Sequence, residues 1–228
     1  MSERKNITSN HIGFFSAIIV AFLLISYAVT LLLGLFASTN TDEPINGQLF
    51  MILEILIIIM MPAMVSLMIA VNNRTIGNLK ILSQLSVAFM VLLCGITSTV
   101  HFLILILSSQ LVFREQPWFS LIFEFKWPSF VYAVDIFAWD FFFPLSVLSA
   151  AFTFGGTRIE NWIRTLLILS GSLALAGLIG VFIGNMQVRD IGIIGYVGIF
   201  YIVTVLLAIV FYREIPKDKV STESRSNM

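Results

Sequence analysis

The sequence predicts an all-α integral membrane protein, a six-transmembrane-helix bundle with N and C termini cytoplasmic. Three observations carry that class. The 228 residues are 58% hydrophobic and only 11% charged, against about 25% charged in a soluble domain, and the mean hydropathy is +0.98. Six segments reach the roughly 20 apolar residues that a spanning helix needs: 12–36, 49–71, 81–107, 130–154, 165–184 and 191–212. Lysine and arginine are also distributed unevenly. Arg4, Lys5, Arg74, Lys80, Arg158, Arg164, Arg213, Lys217, Lys219 and Arg225 fall on one side, and Arg114, Lys126 and Arg189 on the other. Positive charge marks the cytoplasmic side, and an even number of spans puts both termini there. A multi-pass protein of the plasma membrane is the expectation, divided as a tail (1–11), a membrane domain (12–212) and a disordered tail (213–228).

The composition also excludes. The spans leave no room for a soluble catalytic domain, and a formal net charge of zero gives no argument for nucleic acid. Cys94 is the only cysteine, so no intrachain disulfide exists. The two histidines, His11 and His101, belong to opposite faces. That rules out a three-histidine zinc site, and no HExxH, P-loop or GxGxxG motif is present. No lysine lies within a span. No metal and no cofactor is expected; the bilayer is the one certain partner.

In chain order, the first span is too long for a signal-peptide core and is followed closely by no A-x-A-like site, so it is expected to be retained. His11 reads as an interfacial residue. The loop after it, with Asp42, Glu43 and Pro44, reads as a turn. The second span carries Glu54 about 8 Å deep at 1.5 Å per residue, and Pro62 near its middle, where a proline frees a carbonyl. The third span carries His101 about 9 Å deep from the same side; its hydroxyl residues bond back to the helix backbone at little cost. The loop 108–129 is rich in aromatic residues, bracketed by Trp118 and Trp127. Its plainer reading is an aromatic belt at headgroup depth; its functional reading is a lid over a cavity. The fourth span holds Asp135 about 8 Å deep, Trp139, Asp140 near the midplane about 15 Å deep, and Pro144. In the fifth span Gly180 and Gly184 form a GxxxG pair of the kind that lets helix backbones approach. Gly192, Gly195 and Gly198 recur every third residue in the sixth and read as the other half of that contact. Spans two and four share an acidic outer half and a proline, a faint echo of an internal repeat.

Charged side chains inside a membrane are costly, so they are paired, neutralised or turned to a cavity. Glu54, His101 and Asp135 lie at one depth on three helices, with Asp140 a turn deeper. Arg189 is expected at the rim of the same side and Tyr196 just inside it. Together with Trp139 as a wall, these residues outline a polar pocket in the outer half of the bundle. Asp135 and Asp140 are about 140° apart around a regular helix, so one is expected to face the pocket and the other a neighbouring helix. The competing reading is that these groups are interhelical glue, worth about 0.6 kcal/mol per contact. Three functional classes remain: non-catalytic binding, sensing or transport of a small ligand, ion or proton; a small intramembrane enzyme doing acid/base chemistry on a lipid or isoprenoid; and a scaffold or immunity-type protein acting by contact through its glycine-rich spans.

Overall fold

The computed structural model describes residues 2–37 and 47–215, and within them it is helical without a strand. Six helices are long and apolar enough to cross a membrane: Ile7–Phe36, Gln48–Arg74, Gly77–Leu107, Phe130–Ala151, Arg158–Phe182 and Met186–Glu214. They are called spans one to six. Residues 2–11, read above as a tail, are the first turns of α1 (Ser2–Ala37). The turn expected at Asp42–Pro44 and the disorder expected after Ile215 lie outside the described residues.

Each span packs against its neighbours in sequence, and the sixth closes on the first. The result is a ring of six antiparallel helices. Large apolar side chains such as Phe15, Phe22, Leu33, Phe102 and Ile179 point outward, as expected for helices whose solvent is hydrocarbon. The centre of the ring, toward the end that carries both termini, is filled by Met60, Met64, Met68, Met90, Phe143, Phe200 and Phe211. Methionine suits such a core because its unbranched chain fits irregular gaps.

Span two is α2 (Gln48–Arg74), which continues through Pro62. A 3₁₀ turn leads into α3 (Lys80–Leu107), the third span. Two short helices, α4 (Leu111–Arg114) and α5 (Phe119–Phe123), cover the far end. Phe123 packs there against Val100, Ile104 and Val131.

Spans four and six are not regular α-helices. Span four is α6 (Phe130–Phe137), a π turn at Ala138–Phe142, and α7 (Phe143–Ala151). Pro144 follows the π turn. It has no N–H to give to the carbonyl of Asp140, and its ring crowds that carbonyl, so a widened turn just before it relieves the clash. Span five is α8 (Arg158–Phe182), opened by a capping box in which Thr157 and Glu160 satisfy each other's backbone N–H groups. Span six is α9 (Met186–Arg189), α10 (Ile191–Ile193), a π turn at Ile194–Ile199 and α11 (Phe200–Glu214). The two π turns bring Trp139 and Tyr196 into contact, ring centroids 4.9 Å apart.

Candidate functional site

Three spans meet at one imidazole. His101, fully buried on α3, places Nδ1 2.8 Å from Glu54 Oε2 on α2 and Nε2 3.2 Å from Asp135 Oδ1 on α6. Glu54 and Asp135 are themselves 1% and 4% exposed. Two hydrogen bonds between one imidazole and two carboxyl groups require at least two protons among the three groups. With two protons the cluster carries one negative charge, whichever groups hold them, and with three it is neutral. The ring of Phe125 lies 5.4 Å from that of His101 and seals this side.

Glu54 and Asp135 border a partly open cavity of about 240 Å³, and His101 stands behind them. Spans one, two, four and six supply the walls, with Phe125 from the connection 108–129. Much of the lining is aromatic: Tyr27, Phe50, Tyr132, Trp139 and Tyr196. Spans one and six pack tightly toward the termini, where Gly13 lies against the ring of Phe211 and Asn10 donates to the carbonyl of Glu214 at 3.0 Å. Beyond Tyr27 their contacts thin, and Leu31, Leu35, Ile193 and Val197 give the cavity an apolar end between them. A second cavity of about 670 Å³ lies beneath α4 and α5. The two share Phe50 and Phe125, whose rings are 6.3 Å apart.

Arg189 requires a correction. Expected at the rim, it is 4% exposed and forms part of the cavity wall. Its Nε is 3.4 Å from Asp140 Oδ2, within ion-pair range but without the alignment of a hydrogen bond. Nη1 donates a long bond of 3.4 Å to the Tyr132 hydroxyl, and the guanidinium lies 5.3 Å from the centre of that ring. Both carboxylate oxygens of Asp140 and the Nε–H of Arg189 lack a hydrogen-bond partner. Asp140 faces the sixth span and is absent from the cavity wall, whereas Asp135 faces the cavity.

Glycines draw Arg189 inward. A Cβ on Gly180 would collide with the backbone N of Arg189, and one on Gly177 would lie 2.7 Å from its carbonyl oxygen. A Cβ on Gly192 would lie 2.7 Å from Asp140 Oδ1, and one on Gly195 2.6 Å from the carbonyl of Ser170. The GxxxG reading is corrected at Gly184. That residue has φ of +69° and no neighbour that a Cβ would meet. It ends α8: Asn185 N–H reaches back to the carbonyl of Gly180 at 2.8 Å and Gly184 N–H to that of Val181 at 3.2 Å, the double bond of a left-handed helix cap. Gly198 likewise meets nothing. The close helix contact therefore runs through Gly177, Gly180, Gly192 and Gly195.

The belt reading of the connection 108–129 changes for two residues, since Phe123 packs inward on Val100 and Ile104 and Phe125 turns onto His101 and Tyr132. Tyr27, Tyr132 and Phe125 are site residues that sequence reasoning missed; aromatic residues are common throughout a membrane chain and gave no separate signal. Among the described residues no group of His, Cys, Asp and Glu is arranged to hold a metal ion.

No family model, no curated protein and no solved structure matches the chain.

Proposed function

We propose that this is a multi-pass protein of the plasma membrane whose far end faces outward, and that it binds a small ligand in the cavity beside Glu54 and Asp135. Binding, sensing or transport is favoured over catalysis. The observation that carries the reading is the junction of an aromatic cavity with ionisable groups from three spans, linked through His101. Helix glue alone has no need of a cavity, and the neighbouring Arg189–Asp140 pair lacks the close geometry of a structural clamp. A buried cluster that already shares protons is also suited to couple ligand occupancy to protonation. The second reading, a small intramembrane enzyme, would use Asp135 at the cavity wall as general acid/base with His101 behind it as partner.

Native mass spectrometry from mild detergent tests the reading, with wild type beside Asp135→Asn. A defined small molecule or lipid retained by wild type and lost by the variant is the expected result. If both are bare and the variant is merely less stable to heat, the cluster is structural and the ligand site falls.

A further inference from the structure

The charges around the cavity name the class of ligand, on the premise that the cavity is a ligand site. The groups facing it or packed behind it come from every adjoining span: Tyr27 on the first, Glu54 on the second, His101 on the third, Tyr132, Asp135 and Asp140 on the fourth, and Arg189 and Tyr196 on the sixth. Asp190 is exposed to solvent and pairs loosely with Arg189 at 3.8 Å. Arg189 cancels the charge of Asp140 when both are ionised. The Glu54–His101–Asp135 cluster, held together by two hydrogen bonds, carries one negative charge when two protons are shared among its three groups. A net charge in apolar surroundings is costly, so it must be matched by a third proton or by a cation in the cavity.

We infer that the cavity takes a monovalent organic cation bearing an apolar group, in exchange for one proton from the Glu54–His101–Asp135 cluster. The walls fit that class. Tyr27, Trp139 and Tyr196 line the cavity, and aromatic rings attract an onium group, whereas the Tyr132 ring already carries the Arg189 guanidinium. The apolar end at Leu31, Leu35 and Ile193 suits a hydrocarbon substituent. An inorganic cation would need oxygens converging on one point. Here the two bonded oxygens sit on opposite nitrogens of one ring. In the exchange one O–H or N–H bond of the cluster breaks and its proton passes to solvent. The positive charge of the ligand replaces it, so the charge inside the bundle is unchanged.

Isothermal titration calorimetry of the purified full chain with benzyltrimethylammonium tests this. The comparison ligands are its neutral carbon isostere neopentylbenzene, the anion phenylacetate, and sodium chloride. Repeating the titration in two buffers of different ionisation enthalpy counts the protons released. The expected result is binding of the ammonium compound at least about tenfold tighter than of its isostere. One proton should leave per cation at acidic pH, with affinity rising about tenfold per pH unit there, because the proton and the cation compete for one charge. Glu54→Gln and Asp135→Asn each remove that charge, and each should abolish both the preference and the proton release. Size-exclusion profile and far-UV circular dichroism identify a misfolded variant; if both variants misfold, the proton count of wild type decides alone. Preference for neopentylbenzene or phenylacetate overturns the cation assignment and leaves the ligand site standing. Displacement by millimolar sodium, or binding without proton release across the pH range, also overturns it. Failure of all the organic probes overturns it too, and retention of a bound species in the mass spectrum then tells whether the site itself survives.

Discussion

Two arginines mark the two ends of the bundle, and they are built differently. At the termini end Arg74 joins spans two, five and six. Its Nε lies 2.8 Å from Glu214 Oε1, its Nη2 pairs with Glu160, and its guanidinium sits 5.7 Å from the centre of the Phe154 ring. Glu160 is fixed in turn by the capping box with Thr157. Lys80 donates to the carbonyl of Asn72 close by, and methionine and phenylalanine fill the centre of the ring below. At the far end Arg189 is more deeply buried, with 5% of its side chain exposed against 24% for Arg74, yet it is held more loosely. Its ion pairs are 3.4 and 3.8 Å long, its Nε–H is unanswered, and a cavity lies beside it. A charge pair that only locks helices together should be short and enclosed. The contrast supports the proposal that one end closes the bundle and the other holds a ligand.

The largest effect that would sharpen this contrast is expected at Arg189. Arg189→Ala leaves Asp140 buried without a counter-charge, and breaking such a pair costs about 3–5 kcal/mol. Thermal denaturation should show Tm lower by about 10 °C, and Arg189→Ala/Asp140→Asn should recover much of it. An unchanged Tm in the single variant would mean that Asp140 carries no charge. Next comes Gly180→Ala. Its Cβ meets the backbone of α9 rather than a flexible side chain, so a destabilisation of about 1–3 kcal/mol is expected, with any ligand affinity falling as Arg189 is displaced. Arg74→Ala should cost less, about 1–2 kcal/mol after allowance for its partial exposure, and should leave ligand affinity intact. A fall in affinity would break the division between the two ends. The smallest effects separate two glycines of similar sequence context. Gly184→Ala is strained at its positive φ by about 1 kcal/mol, whereas Gly198→Ala, in open space within a helix, should be neutral or slightly stabilising. Equal Tm shifts for the two would contradict the helix-cap role of Gly184.

Much of the fold was legible because membrane helices announce themselves by length and apolarity. The common depth of Glu54, His101 and Asp135 was also legible, since a helix rise of about 1.5 Å per residue converts sequence position into depth. That those three residues touch was not, because depth does not fix rotation about each helix axis. Arg189 was misplaced for a related reason. A charge in the six-residue connection between two spans reads as interfacial, and only the backbone approach allowed by Gly177 and Gly180 carries it inside. The π turns left one trace, Pro144, but the same residue type at Pro62 leaves α2 continuous. The Arg74 clamp had a signal that went unused: Thr157 followed three residues later by Glu160 is a capping box, and it fixes a carboxylate at the helix end opposite Arg74.

The most direct test of the difference between the two ends is cysteine accessibility in sealed vesicles, in a Cys94→Ala background. Tyr27→Cys, in the cavity wall, is compared with Phe154→Cys, beneath the Arg74 clamp. A cationic, membrane-impermeant thiol reagent is applied to each face in turn. Rapid modification of the Tyr27→Cys protein from the outer face, slowed by benzyltrimethylammonium, with the Phe154→Cys protein unreactive from both faces, is the expected result. Equal reactivity at the two positions, or no reaction at the cavity position, would contradict the assignment of a ligand site to the far end alone.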